Sequence, residues 1–385
     1  MVISYVEMGN AEMVGLLQFS DETFFFFCLP PIVFASGFNM QAGNFFANIK
    51  TILLFGVLGT FLAFFAFSAM TIYFNNLGYM TQYDGATGEW SPLELTSPEC
   101  MLMCSLLCSS DVIAAISLLS YEKQPTLFSI VFGEGIINDA VSIILFNTVM
   151  KYTARTSEVT MGTPFAIIYD FTELGCASLM IGIIFGLLSS YVLKQYRIFA
   201  KNPVSESMMI FCFGYLSYVI SEVSESSGII SLLTAGVVMA HYTWYNLSPQ
   251  GKQSSFIVFQ FLGYATEAFV FAYLGLTFFT YSDLKWSPSL FLTELGVILV
   301  GRFCGTLGLM ALARALGYQS DLTWGELVFI WQAGMIRGAI AFGLVLRIDS
   351  SYANRGVIIT TSLSLVIFTT VVIGSTVGLL QLWLF

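Results

Sequence analysis

The chain has 385 residues, 57% hydrophobic and only 10% charged, with a net charge of −10 and a mean hydropathy of +0.81. Soluble domains carry about 25% charged residues, so this composition excludes a soluble globular protein and marks a chain that crosses a membrane repeatedly. The negative balance is no partner signal: many acids fall in one loop or inside apolar segments, and no basic stripe suits nucleic acid.

Eleven apolar segments follow one another, at residues 22–40, 49–74, 99–120, 126–150, 170–194, 206–224, 227–243, 254–280, 288–316, 324–346 and 356–384. A bilayer-crossing helix needs about 20 residues. Residues 1–20 are mildly apolar, hold Glu7 and Glu12, and read as the tail of something cut short. No signal peptide led by Lys or Arg opens the chain. In the first segment Phe24–Phe27 supplies lipid-facing or packing bulk, and Pro30-Pro31 bends the helix. The longest loop, 75–98, holds Asp84, Glu89 and Glu94 and no Lys or Arg, which places it outside or in a lumen. Alternation then puts Lys50, Lys123, Lys194, Arg197, Lys201, Lys252 and Arg314 on the cytosolic side. Against these seven stand five on the other side, Lys151, Arg155, Lys285, Arg347 and Arg355, a weak positive-inside bias.

Two segments read as broken. Ser109-Ser110-Asp111 interrupts one at mid-membrane depth, and Gly334-Met-Ile-Arg337-Gly338 interrupts another with a positive charge. Backbone leaves a helix inside a membrane only where protein or a watery cavity satisfies it. One acidic and one basic interruption, one in each half, is the pattern of an inverted-repeat transporter. The expected fold is therefore an all-α polytopic membrane protein with two broken, crossing helices. Its halves are 22–150 and 254–384, four spans each, without a clear residue-level repeat.

The fourth span carries Phe132-Gly-Glu-Gly-Ile-Ile-Asn-Asp139. An ionised side chain at a span centre costs roughly 2.5–3.5 kcal/mol, so acids there point by default to an ion or proton site. On a helix Asn138 lies about 40° from Glu134, and Asp139 about 140° away, so the two acids face different neighbours. Arg302, inside the ninth span, is assigned to Glu134 as a structural pair, because a buried charge without a partner is very costly. Asp139 is left as the exchangeable carboxylate, with Asn138 beside it forming a small hard-oxygen site suited to Na⁺, K⁺ or Li⁺. Ser110, Asp111 and freed carbonyls of the broken third span complete the shell. Burial disfavours the charged form of a carboxylate. One balanced between its two forms binds a proton or a cation but not both, which suffices for electrically silent one-for-one exchange. The bland alternative for Asn138-Asp139 is a buried hydrogen-bonded pair.

Asp111 and Arg337 suit opposite half-helix ends, an acid near exposed N–H groups and a cation near exposed carbonyls. For Asp111, an electrostatic prop and a direct ion contact are both open. Glu267 either lines a cytosolic funnel or hydrogen-bonds to a neighbouring helix. His241 sits among aromatics at a span end, as an interfacial belt residue does. Cys100, Cys104 and Cys108 share a helix face and read as small apolar packing. Nothing implies a cofactor or a resident metal; Asp139 would hold only the transported cation.

These motifs resemble the eukaryotic sodium/proton exchangers. Phe24-Phe-Phe-Phe-Cys-Leu-Pro-Pro-Ile32 through Gly37-Phe-Asn-Met40 is similar to their FFxxLLPPI…GYNM segment. Phe132-Gly-Glu-Gly-Ile-Ile-Asn-Asp-Ala-Val141 is similar to FGE(S/G)xxNDAV, and Gly334-Met-Ile-Arg-Gly-Ala-Ile-Ala-Phe342 to GxxRGAIAF. Ser227-Gly-Ile-Ile through Ala240-His-Tyr-Thr-Trp-Tyr-Asn-Leu-Ser248 resembles the SGI…SHYTxxNLS stretch of the endomembrane branch. Order and spacing agree from about residue 22 to the end.

The resemblance implies a thirteen-span homodimer in a lipid bilayer, with a dimer domain and a mobile core that carries the ion like an elevator. Mapped here, residues 1–385 form one transporter domain: 49–150 and 288–385 the core, 22–48 and 206–280 scaffold or dimer-type helices, and 170–194 a linker helix. It implies Asp139 with Asn138 as the carrier, the Glu134–Arg302 pair, Arg337 at the second break and a functional acid at Glu267. Phe24, Phe25, Leu29, Pro30 and Pro31 fall in the region associated with amiloride-type inhibitors. Asp111-Val112 stands where the family has Asp-Pro, and eleven spans against thirteen imply that the family's first two helices are missing; its cytosolic tail is expected to be missing too. The expected function is antiport of Na⁺ or K⁺ against H⁺, in a vacuolar, endosomal or Golgi membrane. A cation channel would need acids or carbonyls along a continuous path, and an intramembrane hydrolase would need a placed nucleophile or metal set.

Overall fold

A computed structural model describes residues 21–40, 42–85, 88–119, 121–155, 162–280, 285–349 and 352–384. Glu7, Glu12 and the rest of the first 20 residues lie outside the described residues. Among the described residues, seven helices are long and apolar enough to cross a membrane. These are α2 (Ile49–Asn76), α5 (Pro125–Arg155), α6 (Thr163–Gln195), α7 (Pro203–Val223), α9 (Pro249–Thr280), α10 (Pro288–Ala315) and α13 (Arg355–Leu384). The other four apolar segments are helical but shortened or interrupted. They are α1 (Phe24–Phe38), α8 (Gly228–Val238, continued by the π turn Met239–Thr243), and two broken spans. The first broken span is α3 (Ser97–Leu106) with the short α4 (Ile113–Ile116); the second is α11 (Trp324–Ala333) with α12 (Ala339–Leu346).

The prolines of α1 show how this sequence sets local geometry. Pro30 and Pro31 have no N–H to give to the preceding turn. Phe24–Cys28 is wound as a π turn, with Leu29 N–H reaching Phe24 O. The carbonyls of Phe25 and Phe26 instead accept from the hydroxyls of Tyr218 (2.8 Å) and Tyr215 (3.1 Å) on α7. Phe24 and Phe25 are buried while Phe26 and Phe27 face outward, so the phenylalanine run is half packing and half exterior.

The acidic 75–98 loop contains a hairpin, β1 (Thr81–Tyr83) antiparallel to β2 (Trp90–Pro92). Tyr83 also pairs with Trp286 ahead of α10, tying together the loops that precede α3 and α10.

α1, α6, α7, α8 and α9 pack chiefly on one another, and α2, α3, α5 and α10–α13 form a second bundle. α6, which the resemblance makes a linker, lies against α7, α8 and α5. It turns Met180, Ile184 and Leu187 outward, which suits acyl chains rather than water.

The two halves, α1–α5 and α9–α13, repeat one architecture, and the structure makes a residue-level repeat visible. α3 and α11 each run ten residues from a threonine capping box, Thr96 with Glu99 and Thr323 with Glu326. Each box satisfies two N-terminal donors reciprocally. α2 and α10 cross at Gly59 and Gly305, each followed by a threonine. A Cβ on either glycine would stand 2.8 Å from the other's carbonyl oxygen. The contact is reciprocal between the two halves, and only glycine permits it.

Candidate functional site

Both broken helices stop at the centre of the second bundle, and their backbones bond to each other there: Asp111 N–H donates to Ile336 O at 2.8 Å. The α3 break forms without the proline expected after Asp111. Val112 packs onto the bare backbone of Gly135 on α5, where an added Cβ would come within 2.1 Å of a Val112 methyl.

A helix end presents unsatisfied carbonyls and a partial negative charge. Two buried arginines meet the two ends. Arg337 Nη1 donates to Ser109 O at 2.8 Å and Cys108 O at 3.4 Å, past the end of α3, with its guanidinium 5.9 Å from the centre of the Phe67 ring. Arg302 Nε donates to Gly334 O at 2.7 Å, at the end of α11. The Arg337 backbone is itself clamped by α13: its N–H donates to Thr369 Oγ1 (3.1 Å), and Thr370 Oγ1 donates to its carbonyl (2.7 Å). Asp111 lies against Gly338, the residue before α12. A Cβ there would meet Asp111 Cβ at 2.7 Å, so the acid stands over that helix's N-terminus.

The structure brings Glu134 and Arg302 together, Oε1 to Nη1 at 3.3 Å, both buried. Asn138 belongs to the same cluster. Its amide is assigned with the oxygen toward the guanidinium, since the reverse would oppose donors to donors. It then accepts from Arg302 Nη1 and Nη2 at 3.1 and 2.9 Å and donates to Cys108 O at 2.9 Å. Asn138 is thus fully buried on the arginine side of α5 and does not line the cavity beside Asp139. The 100° per residue that separates Glu134 from Asp139 also turns Asn138 away from its neighbour.

Asp139 faces the other way, into a cavity of about 390 Å³ between the two bundles. Ser109 Oγ donates to Asp139 Oδ1 at 2.8 Å. Ser110 lines the same cavity, its hydroxyl oxygen buried without a hydrogen-bond partner among the described residues. Asp111 and Glu267 line it too, with Asn39 just past α1 and Phe128 and Phe132 of α5 toward the end where α5 and α9 begin. That end carries Lys123 and Lys252, on the side read as cytosolic. Among the described residues lining the cavity none is basic. A second cavity of about 300 Å³ lies toward the far end of α5, bounded by Ile144, Lys151, Glu222 and Arg347. No described residue lines both.

Three groups were not singled out in the sequence. Ser109 is hidden behind Ser110, because only the path of the break decides which serine meets Asp139. Thr369-Thr370 carry a signal, two adjacent hydroxyls deep in an apolar span. Glu294 is a fully buried acid on α10, taking a 2.7 Å bond from Thr71, and any acid in such a span warranted notice. Of the inhibitor-region residues, Phe24, Phe25, Leu29 and Pro30 are buried and none, nor Pro31, lines the larger cavity. His241 packs edge-on against Tyr242 and Phe46, away from it. Among the described residues no three His, Cys, Asp or Glu side chains form a metal-holding group.

Two broken helices crossing in a membrane-spanning bundle, with a half-buried carboxylate at the crossing, define the class of inverted-repeat ion transporters. The model of the sodium/hydrogen exchanger transmembrane family matches residues 2–383, and the chain belongs to that family; it is a multi-pass integral membrane protein. It is 30% identical over 384 residues to sodium/hydrogen exchanger 1 of Oryza sativa subsp. japonica, covering 95% of this chain and 69% of that protein. It is 34% identical over 388 residues to sodium/hydrogen exchanger 8 of Homo sapiens, covering 99% of this chain and 63% of that protein. Its fold is similar to that of the sodium proton antiporter MjNhaP1 from Methanocaldococcus jannaschii at pH 8. The TM-score is 0.64 at 15% identity, covering 92% of this chain and 84% of that one.

Proposed function

We propose that the protein is a secondary antiporter, not an enzyme, that exchanges Na⁺ or K⁺ for H⁺ one-for-one, with Asp139 as the group that binds either. The observation that carries this reading is the position of Asp139: it ends an acid-lined cavity, and its hydrogen-bond donor is a neutral serine rather than an arginine. Family membership and the antiporter fold support the class. Ser110 and Asp111 share the cavity with Asp139 and contribute oxygen to the cation, while Asn138 acts one layer back by fixing Arg302 and the Cys108 carbonyl. Glu267 attracts cations toward the site, Arg337 and Arg302 neutralise helix ends, and Glu134 balances Arg302.

Alternating access follows from the two cavities. They reach α5 at Asp139 and at Ile144, five residues apart, or about 7.5 Å along the axis. A core of 49–150 and 288–385 sliding against a scaffold of 22–48 and 206–280 would open one cavity as it closes the other. Separate vestibules favour this over a channel, whose pore must be continuous. Homodimerisation through the scaffold rests on the family resemblance as a whole, and an endomembrane location (vacuole, endosome or Golgi) on that of the Ser227–Ser248 stretch.

Proteoliposomes test the reading. An imposed Na⁺ or K⁺ gradient should drive protons the opposite way without generating a voltage. A voltage that follows the cation's own gradient would establish the channel instead.

A further inference from the structure

We propose that the Ser109 hydroxyl is a ligand of the transported cation, switching from hydrogen-bond donor to oxygen ligand as the site loads; this rests on the antiporter reading. Ser109 is buried, and its Oγ donates to Asp139 Oδ1 at 2.8 Å inside the cavity. Its main chain is pinned from behind, because Arg337 Nη1 takes the Ser109 carbonyl at 2.8 Å. That carbonyl is therefore committed to the arginine, and the hydroxyl is what Ser109 offers to a cation.

A hydroxyl holds one donor and two acceptor lone pairs, and it rotates to suit its neighbour. With Asp139 ionised and no cation present, the O–H points at the carboxylate, as it does in this geometry. With Asp139 protonated, the serine oxygen accepts from the acid. With a cation against Asp139, the O–H turns away and a lone pair faces the ion. All three states need only rotation of one hydroxyl, with the heavy atoms in place.

The opposite wall shows why this oxygen matters. One helical turn before Asp139 on α5 stands Gly135, with a Val112 methyl packed against it. That turn of α5 therefore supplies no side-chain oxygen toward Asp139. The α3 break supplies two hydroxyls to this cavity: Ser109, already bonded to the carboxylate, and Ser110, buried without a partner.

The test is exchange by the full chain in proteoliposomes, with Li⁺, Na⁺ and K⁺ series for the wild type, Ser109→Ala and Ser109→Thr. Ser109→Ala removes one atom and should keep Vmax while raising the KM for Na⁺ about tenfold or more, the scale of a hydrogen bond to a charged group. The rise should be steepest for Li⁺ and shallowest for K⁺, because attraction to a ligand oxygen weakens as the ion grows. Ser109→Thr keeps the hydroxyl and should hold KM within about threefold of wild type. An unchanged KM in Ser109→Ala, an equal rise for all three cations, or a Thr variant as impaired as Ala would each overturn the inference. Absence of cation-driven proton movement in the wild type would instead overturn the antiporter reading itself, so the two failures are distinct.

Discussion

The two repeats share one backbone plan but bring opposite charge to the crossing. The first, α1–α5, supplies the acids: Asp111 at its break, Glu134 and Asp139 on α5. The second, α9–α13, supplies the arginines: Arg337 at its break and Arg302 on α10. Where α5 places Asn138-Asp139 against the first break, α13 places Thr369-Thr370 against the second. At the crossing, Arg302 and Arg337 of the second repeat direct their hydrogen bonds to carbonyls, the Asn138 amide and the paired Glu134. The first keeps one carboxylate out of those pairings. An exchanger needs both properties, a rigid frame to hold broken helices together in lipid and one acid left to choose its occupant.

The comparison breaks most severely at Glu134. Glu134→Gln leaves Arg302 buried without its counter-charge, and should destabilise the protein by about 3–5 kcal/mol in thermal unfolding in detergent. Adding Arg302→Met to that variant should recover part of the loss, since the uncompensated charge is then gone, although Gly334 O loses its donor. If Glu134→Gln melts like the wild type, the pair is not structural. A smaller effect is expected in the second repeat. Thr370→Val keeps the shape but removes the donor to Arg337 O, and should cost about 1 kcal/mol while leaving cation KM unchanged. A large change in KM with no loss of stability would mean that α13 takes part in ion binding rather than in holding Arg337.

Much of this was legible in the chain. All eleven apolar segments are helical, and both breaks fall where Ser109–Asp111 and Gly334–Gly338 interrupt the hydrophobic pattern. Charges at membrane depth are so expensive that their positions mark partners and sites directly, which is why Glu134 could be matched to Arg302 across 168 residues. What stayed hidden depends on the path of backbone that is not helical. Helical geometry already separated Asn138 from Asp139 by 100°, yet adjacency in sequence suggested a shared shell; the Arg302 fork is what claims the amide. No periodicity chooses between Ser109 and Ser110 in an extended break. The repeat between the halves was present in the two Thr-x-x-Glu boxes, but four residues in 385 carry too little pattern to stand out before the crossing at Gly59 and Gly305 is seen.

The account turns on one carboxylate that cannot hold a proton and a cation together. Purified protein in weak buffer, mixed with Na⁺ or K⁺ over a pH series, reports this through a pH-sensitive dye. Cation binding should release protons from the wild type, more per bound cation as the pH falls, and the apparent cation affinity should fall in step because protons then occupy Asp139 first. Asp139→Asn should fold and melt normally yet release none and exchange none. Cation binding without proton release in the wild type, or full release from Asp139→Asn, would contradict the account.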